Sequence, residues 1–452
     1  MNDPDQPDPL RLAEYAPGEA AVLSDAERWP TLDEDGARRL AHWRHHPDAP
    51  KWTHATGDRL TAAQIERVKT PLSTDNWMTE HLAAARRTLR YRGMAKHSVL
   101  ADFPTITRAD LVDDIGAFVP LDADIDRMLH GTSSGSTGAA LLIPDDVEEV
   151  ARGFHLLVAL AAASGAVVEP VGERLAVANL VFQRQAFTYV SVVSSFAQRA
   201  MARINLHPSA WPADGARERF LTNADPQILS GHPTSLAELV DSELHELLHP
   251  VAIFSGAMAL SAPLRRRLEE AFACPVFDIY GLHETRPIAV RTDDGPFRLL
   301  DRRVHVEVLD PSGRPAPENA VGEITVTAGE NPLLPLVRYR TGDFGRLVRL
   351  DDGGIGLMDL EGRENTRFLA GDGSLIPCVE LTQQLQAHGA EGWSVVQETD
   401  GSVHALIAGG DVKAVRRALE ALLSIPISVT AVARVIDLGE GKPRRYRSSV
   451  EQ

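Results

Sequence analysis

The sequence predicts an α/β protein with a large N-terminal domain of mostly parallel sheets covered by helices, a β-rich subdomain, and a small α+β domain at the C-terminus. Short apolar strands alternate with helical patterns over residues 174–279, and short strands with glycine-containing turns follow over residues 302–350. The last ninety or so residues repeat strand and helix patterns on their own. Regular alternation of strands and helices is typical of a parallel sheet with helices on its faces.

The N-terminal third is predicted to be mainly helical. Residues 32–43 and 64–91 place apolar side chains at helical spacing, and Thr107 is a candidate N-cap for a further helix. After a glycine-rich loop, residues 147–165 predict a helix and residues 174–182 a strand. Residues 189–202 are expected to be helical.

The alternation continues through the middle of the chain. Strands are predicted at 227–230, 251–254 and 276–279, with helices at 235–248 and 263–272 between them. In the last part, strands are predicted at 394–397, 403–408 and 427–436, and a helix at 412–423. A polar turn at Gly362-Arg363-Glu364-Asn365 suggests the boundary, which divides the chain into domains 1–362 and 363–452.

Composition excludes several classes of protein. Of 452 residues, 44% are hydrophobic and 24% charged, and 46 Lys+Arg against 63 Asp+Glu give a net charge of −17. This charge argues against nucleic acid or an anionic membrane as partner. Two cysteines, Cys274 and Cys378, can build neither a disulfide framework nor a four-cysteine zinc site. Without an apolar leader or membrane-length apolar run, we expect a cytoplasmic protein.

The stretch from Gly131 to Gly138 contains three glycines and five hydroxyl residues in eight positions. Glycines let the main chain approach a ligand, and free N–H groups and hydroxyls suit phosphate oxygens. The stretch does not match a Walker A loop, because no Gly-Lys-Ser/Thr stands at the required offset. It does match the G-x-S-x-G elbow of serine hydrolases, with Ser133 as nucleophile. A flexible Gly/Ser loop is the third reading that these residues alone leave open.

A series of motifs occurs in order along the chain. They are Pro104 to Leu111, Ser133-Ser134-Gly135-Ser136-Thr137-Gly138, Gly231-His232-Pro233, Ser255-Gly256-Ala257, Tyr280-Gly281-Leu282-His283-Glu284, Arg338-Tyr339-Arg340-Thr341-Gly342-Asp343, Gly362-Arg363 and Gly441-Lys442. Together they resemble the adenylate-forming superfamily in its phenylacetate-CoA-ligase-like branch. The resemblance covers nearly the whole chain from Phe103 onward. It implies ATP and Mg²⁺ as cofactors, CoA as one candidate acceptor, and a mobile C-terminal domain.

The resemblance also implies roles for individual residues. Asp343 would accept hydrogen bonds from the ribose hydroxyls, Tyr280 would stack on adenine, and Arg363 would contact ribose or phosphate. Glu284 would be the Mg²⁺ ligand, and Lys442 would neutralise the α-phosphate during adenylation. The remaining nucleotide-binding candidates are Ser133, Ser134, Gly135, Ser136, Thr137, Gly138, Ser255, Gly256, Ala257, Asp278 and Gly281. Outside the family context, each is an ordinary turn, core or solvated residue.

The chain departs from the family pattern at three places. Leu141 stands where the phosphate loop usually ends in a lysine, which removes one positive charge. His283 occupies the place of a Thr or Ser before Glu284, and as a residue that titrates near neutral pH it is a catalytic candidate together with Glu284 and Lys442. The usual hinge aspartate is replaced by Asn365 or Thr366.

The acid substrate is expected to be small, with aromatic acids included, because aromatic and hydrogen-bonding residues cluster in two segments. The predicted substrate-binding residues are Phe182, Gln183, Arg184, Tyr189, Gly231 and His232. We predict an ATP-dependent ligase that forms an acid adenylate, releases pyrophosphate and transfers the acid to CoA, an amine or a carrier-protein thiol. The alternatives are a diazotase that adenylates nitrite for an aryl amine, a serine hydrolase that uses Ser133, and an ATP-binding pseudoenzyme.

Overall fold

A computed structural model describes residues 23–133, 141–362, 366–439 and 443–450. The chain forms two compact units. The first comprises Met1–Pro71, Asp124–Leu229 and Leu247–Val251, and the second comprises Leu72–Ala123, Ser230–Glu246 and Ala252–Gln452. In the described part of the chain, no helix is both long and apolar enough to cross a membrane.

Most helices begin at a residue whose side chain caps the first turn. Thr107 forms a capping box with Asp110, as predicted, and Asp411 accepts hydrogen bonds from the backbone of Lys413 and Ala414. The helices are α1 (Asp25–Arg28), α2 (Glu34–Arg44), α3 (Ala62–Val68), α4 (Trp77–Ala85), α5 (Arg108–Asp113), α6 (Val147–Ala163), α7 (Ala216–Ala224), α8 (Pro233–Asp241), α9 (Ala262–Phe272), α10 (Cys378–Ala387) and α11 (Val412–Leu423).

The first unit contains a hairpin and a mixed sheet. The hairpin pairs β1 (Leu129–Ser133) with β2 (Leu141–Asp145) in antiparallel fashion. The sheet has the order β6-β3-β5-β4. Its strands are β3 (Val177–Val181), β4 (Tyr189–Val193), β5 (Arg199–Asn205) and β6 (Ile228–Gly231). The pair β3 and β5 is parallel, and β4 and β5 are antiparallel.

The second unit contains a longer sheet in the order β11-β12-β13-β14-β10-β9-β8-β7. Its strands are β7 (Ala252–Ser255), β8 (Val276–Leu282), β9 (Arg286–Arg291), β10 (Phe297–Leu299), β11 (Val304–Leu309), β12 (Gly322–Ala328), β13 (Leu336–Arg349) and β14 (Ile355–Glu361). The pair β7 and β8 is parallel, and the β-rich part beyond β8 is antiparallel. This part is the predicted β-rich subdomain.

A small α+β domain ends the chain and belongs to the second unit. A hairpin of β15 (Arg367–Leu369) and β16 (Leu375–Pro377) precedes a sheet in the order β19-β18-β17-β20. That sheet is built from β17 (Gly392–Gln397), β18 (Val403–Ala408), β19 (Ile427–Val432) and β20 (Tyr446–Ser448). Its core contains Trp393, Leu419 and Phe368, with α10 and α11 packed against the strands. The predicted boundary at 362/363 stays a prediction, because residues 363–365 lie outside the described residues.

One predicted element has the wrong type. Residues 189–202 were expected to be a helix, but they form β4, a tight turn and most of β5. Val190, Val192 and Val193 are β-branched and favour an extended chain. Ala197 and Gln198 reverse the chain with φ of 48° and 50°, which is the left-handed geometry that short hairpins require.

Two predicted helices are shorter than their patterns suggested. The pattern at 64–91 is split into α3 and α4 around Pro71, which cannot continue a helix. The pattern at 235–248 is divided into α8 and a separate 3-10 turn at Leu244–Leu247.

Candidate nucleotide site

Asp343 and Tyr280 meet inside the second unit although they lie on different strands. The hydroxyl of Tyr280, on β8, donates a hydrogen bond to Oδ2 of Asp343, on β13, at 3.0 Å. The backbone N–H of Asp343 donates to Oγ1 of Thr341 at 3.0 Å. Both side chains are buried. The carboxylate is therefore held in a fixed orientation before any ligand binds.

Glu284 is held in a similar way by a second tyrosine. The hydroxyl of Tyr339 donates a hydrogen bond to Oε1 of Glu284 at 2.5 Å. Nη1 of Arg108, at the start of α5, lies 3.9 Å from the same oxygen. Glu284 is 3% exposed and Tyr339 is fully buried. A buried carboxylate needs such partners, because an unpaired charge in the interior is costly.

Gly281 shapes the chain between these two residues. A Cβ at Gly281 would lie 2.3 Å from the carbonyl oxygen of Arg286. The register of β8 against β9 shifts between Tyr280 and Gly281, and Arg286 has φ of 63°. Only glycine allows this close approach of two backbones. The motif from Tyr280 to Glu284 is thus a tight β-turn structure rather than a helix start.

The Ser255-Gly256-Ala257 motif follows β7 and meets the Gly231 motif. The N–H of Gly256 donates to the carbonyl of Gly231 at 3.0 Å, and Ala257 takes φ of 64°. His232 caps α8 by accepting a hydrogen bond on Nδ1 from the backbone of Ser235 at 3.3 Å. These two predicted motifs therefore share one strand-end region, where open α/β sheets bind ligands.

Asp278 lies on β8 and faces an arginine. Its Oδ2 accepts hydrogen bonds from Nη2 and Nε of Arg291 at 2.9 and 3.2 Å. Burial raises the pKa of Asp278 to about 6 even though Arg291 lowers it. Arg291 also donates to the carbonyl of Leu260 at 3.0 Å. The predicted contact of Asp278 with the nucleotide stays a prediction.

Several predicted site residues lie outside the described residues. They are Ser134, Gly135, Ser136, Thr137, Gly138, Arg363 and Lys442.

Ser133 is the last residue of β1 and pairs with Leu141 in β2, so the next described element after β1 is an antiparallel strand. A nucleophile elbow requires a strand followed by a helix, and the hairpin does not have that order. Leu141 is 3% exposed, which explains an apolar residue at the first position of β2. His283 is half-buried beside Glu284 in sequence.

The predicted acid-contacting residues of the first unit pack largely on their neighbours. Phe182 lies edge-on to His207 with ring centroids 5.2 Å apart. The ring of Tyr189 lies 5.7 Å from that of Phe187 and 6.5 Å from that of His54, and the rings of Phe187 and His54 are 3.9 Å apart and tilted by 36°. The backbone of Gln183 exchanges hydrogen bonds with the side chain of Asn205. Arg184 follows in the same segment, whereas Gly231 and His232 belong to the second unit.

Sequence reasoning missed two partners of the predicted carboxylates. Tyr339 and Arg108 stand inside motifs that were recognised, Arg338 to Asp343 and Pro104 to Leu111. These contacts could not be predicted because both residues are far from Glu284 in sequence. Residue patterns indicate which face of one segment is buried, not which distant residues come into contact. No local signal marked these partners, because Glu284 already has His283 and Arg286 close to it in sequence.

Three comparisons bear on the family. A family model described as AMP-binding enzyme matches residues 152–331. A phenylacetate-coenzyme A ligase of Pseudomonas putida is 31% identical over 142 residues, which are 29% of this chain and 32% of that protein. A phenylacetate-coenzyme A ligase of Aromatoleum evansii is 23% identical over 317 residues, which are 65% of this chain and 68% of that protein.

The fold agrees with a solved structure. A 2-hydroxyisobutyryl-CoA ligase, in the postadenylation state in complex with R3-HIB-AMP, matches with a TM-score of 0.58 at 16% identity, over 85% of this chain and 88% of that chain. The family model and the relatives make this chain similar to adenylate-forming enzymes, as the motifs in its sequence indicated. The two relatives that it matches over 68% of their length are both named phenylacetate-coenzyme A ligases. The P. putida match spans about a third of that enzyme, 32% of its length.

The fold class predicted for an adenylate-forming enzyme is confirmed, including the small C-terminal α+β domain.

The described part of the site would also fit a magnesium ion, through Glu284. Among the described residues, no group of three or more His, Cys, Asp and Glu side chains could hold a metal. Mg²⁺, however, is commonly bound by one or two carboxylates together with substrate phosphates. Glu284, buried and oriented by Tyr339, is suited to such a site.

Proposed function

We propose that the protein is an ATP-dependent, AMP-forming ligase that activates a small acid as its adenylate and transfers it to a nucleophile. Two buried carboxylates carry this proposal. Asp343 and Glu284 belong to separate family motifs, and each is held by a tyrosine hydroxyl, from Tyr280 and Tyr339 respectively. A role in an ion pair or in the core would not by itself require both carboxylates to accept hydrogen bonds from tyrosine hydroxyls.

The first step joins the acid to AMP. A carboxylate oxygen of the acid attacks the α-phosphorus of ATP, the bond to the β-phosphate oxygen breaks, and pyrophosphate leaves with that electron pair. Magnesium, when bound, neutralises charge on the phosphates. Glu284 would hold this ion, and Asp343 would accept hydrogen bonds from the ribose hydroxyls. Catalysis here consists of positioning and charge stabilisation, because the enzyme forms no covalent bond itself.

The second step transfers the acid from AMP. A nucleophile attacks the acyl carbon of the adenylate and AMP leaves. CoA is the first candidate, because the curated relatives with this domain are named as CoA ligases. Aromatic acids are the first candidate substrates, since the same relatives are named for phenylacetate. A carrier-protein thiol or an amine are the other acceptors to test.

The experiment is a screen for acid-dependent pyrophosphate release. Purified protein receives Mg·ATP with each of a panel of aromatic and aliphatic carboxylic acids, or with nitrite, in the presence of CoA or an aryl amine. Mass spectrometry of the mixtures then identifies the product. An acyl-CoA from a carboxylic acid supports the proposal. A diazo product from nitrite would replace it with the diazotase function, and no pyrophosphate release with any acid would overturn both.

A further inference from the structure

The C-terminal domain contacts the rest of the second unit at α8 and at residues 259–267. Several hydrogen bonds and ion pairs involve residues 259–267, which come shortly after the Ser255-Gly256-Ala257 motif. The hydroxyl of Ser261 donates to the carbonyl of Glu391 at 2.6 Å, and the N–H of Ala262 donates to Oε1 of Gln386 at 2.9 Å. The domain is therefore docked beside a predicted nucleotide loop.

Charged side chains reinforce this docking. Arg267, on α9, places Nη1 2.8 Å from Glu391 in the C-terminal domain and Nη2 2.7 Å from Asp241 at the end of α8. Arg434 of the C-terminal domain lies 3.5 Å from Glu238, also on α8. Arg267 and Glu238 are partly or fully buried, where hydrogen bonds between charged groups are stronger than at the surface.

Arg445 makes the contact nearest to the nucleotide loop. Its Nη2 donates to the carbonyl of Ala259 at 2.6 Å, and its guanidinium lies 4.4 Å above the ring of Trp393. The carbonyl of Arg445 accepts a hydrogen bond from the N–H of Val395 at 2.7 Å. The next residue, Tyr446, accepts a hydrogen bond from Trp393 at 2.8 Å. Arg445 thus joins the core of the C-terminal domain to residue 259.

Two charged residues, Asp278 and Arg291, act on Arg445 electrostatically. Asp278 attracts Arg445, and Arg291, which binds Asp278, repels it. Arg291 itself is fixed by the carbonyl of Leu260 and by the ring of Phe297, 4.3 Å from its guanidinium. The Asp278 carboxylate therefore binds Arg291 directly and also attracts Arg445 across the contact.

We propose that Arg445 is a positioning residue that holds the C-terminal domain on residues 259–262 and thereby favours the adenylation step over the transfer step. The inference rests on the proposed function for its kinetic part only. Lys442, three positions earlier in the sequence, is the residue that the family resemblance assigns to adenylation, and this proximity in sequence is the reason to expect an effect of Arg445 on that step. The docking itself follows from the contacts of Arg445 alone.

The test compares Arg445→Ala, Arg445→Lys and the control Arg447→Ala, which changes an exposed arginine in β20, two positions further along the chain. Hydrogen–deuterium exchange of the peptide covering residues 257–264 measures docking without reference to activity. We expect about tenfold faster exchange in Arg445→Ala, the size that follows from losing one hydrogen bond of a charged donor. Arg445→Lys should recover part of the protection, and Arg447→Ala should match the wild type. Unchanged exchange in Arg445→Ala would overturn the docking role.

The half reactions test the kinetic part separately. Acid-dependent exchange of pyrophosphate into ATP reports adenylation, and consumption of a synthetic acyl-adenylate by the acceptor reports transfer. Arg445→Ala should slow adenylation by about tenfold or more and change transfer much less. An equal loss in both half reactions would show a merely structural role and overturn the proposal. If the wild type exchanges no pyrophosphate with any acid, the proposed function fails, and the deuterium exchange alone still decides the docking.

Discussion

The hydroxyl of Tyr339 donates a 2.5 Å hydrogen bond to Oε1 of Glu284, across 55 positions of sequence. Because this bond fixes one oxygen of the carboxylate, it also sets the orientation of the other. Arg108 approaches the same fixed oxygen at 3.9 Å. This pair connects the motif around Glu284 with the motif that contains Asp343, and it underlies the first prediction.

Replacing Tyr339 with Phe should weaken magnesium use without unfolding the protein. The variant keeps the ring but removes the donor that orients Glu284, and a buried carboxylate that loses a hydrogen bond is destabilised by about 1 to 3 kcal/mol. We expect the Mg²⁺ concentration that gives half-maximal pyrophosphate release to rise by about tenfold. Titration of the activity with MgCl₂ at saturating ATP measures it. A Mg²⁺ dependence equal to that of the wild type would remove Glu284 from the metal site.

Replacing Asp343 with Asn should reduce nucleotide affinity, and Tyr280→Phe should do so to a smaller extent. Asp343→Asn removes the negative charge proposed to accept ribose hydroxyls, whereas Tyr280→Phe removes only the 3.0 Å bond that orients it. We expect the dissociation constant of ATP, measured by calorimetry, to rise by about tenfold for Asp343→Asn. An ATP analogue that lacks both the 2′- and the 3′-hydroxyl should bind both forms alike. Unchanged affinity for ATP in Asp343→Asn would contradict the ribose assignment.

Replacing Gly281 with Ala should destabilise the protein and disturb the site. The new Cβ would meet the backbone of Arg286 at 2.3 Å, and a clash with backbone cannot be relieved by a rotamer change, so the cost is about 1 to 3 kcal/mol. Chemical denaturation measures the free energy of unfolding. Gly153→Ala is the control, since a Cβ there meets nothing within 4 Å inside α6 and should stabilise the helix by about 1 kcal/mol. Equal stability of Gly281→Ala and wild type would refute the packing argument.

Replacing Asp278 with Asn should flatten the pH dependence of stability. Burial raises the pKa of this carboxyl from an ordinary 3.8 to about 6. Its favourable contribution is therefore complete below pH 3.8 and is lost as pH rises through 6, by up to about 3 kcal/mol. Relative to Asp278→Asn, the wild type should lose unfolding free energy between about pH 4 and pH 6.5 in urea titrations, the interval set by the two pKa values. The control Asp351→Asn, at an exposed turn, should track the wild type, and a difference independent of pH would contradict the assignment.

Local patterns predicted much of the fold because they report which face of a segment is buried. Helix α11, predicted at 412–423, is confirmed at the same residues, since Val415, Leu419 and Leu423 form one buried stripe. The helix predicted at 189–202 was wrong. Over a short stretch, valines alternating with small polar residues fit both the helical and the strand period, and the pairing of β4 with β5 stabilises the strand.

The candidate site could be predicted only in part from the sequence. Motif residues Tyr280, Glu284 and Asp343 were recognised one by one, but their pairing needs the order of strands in the sheet. Tyr280 on β8 and Asp343 on β13 are separated by β9, β10 and β14 in that order, so no sequence rule predicts their contact. The docking of Arg445 on Ala259, 186 positions apart, was hidden for the same reason.

The most direct test of the account is detection of an enzyme-made adenylate in the absence of any acceptor. The protein is incubated with Mg·ATP and an acid that releases pyrophosphate in the screen, quenched, and analysed by mass spectrometry for the acid-AMP anhydride. The account predicts an adenylate in stoichiometric amount with the enzyme, greatly reduced in Asp343→Asn. Conversion of ATP to ADP and phosphate, with no AMP-linked acid, would contradict it.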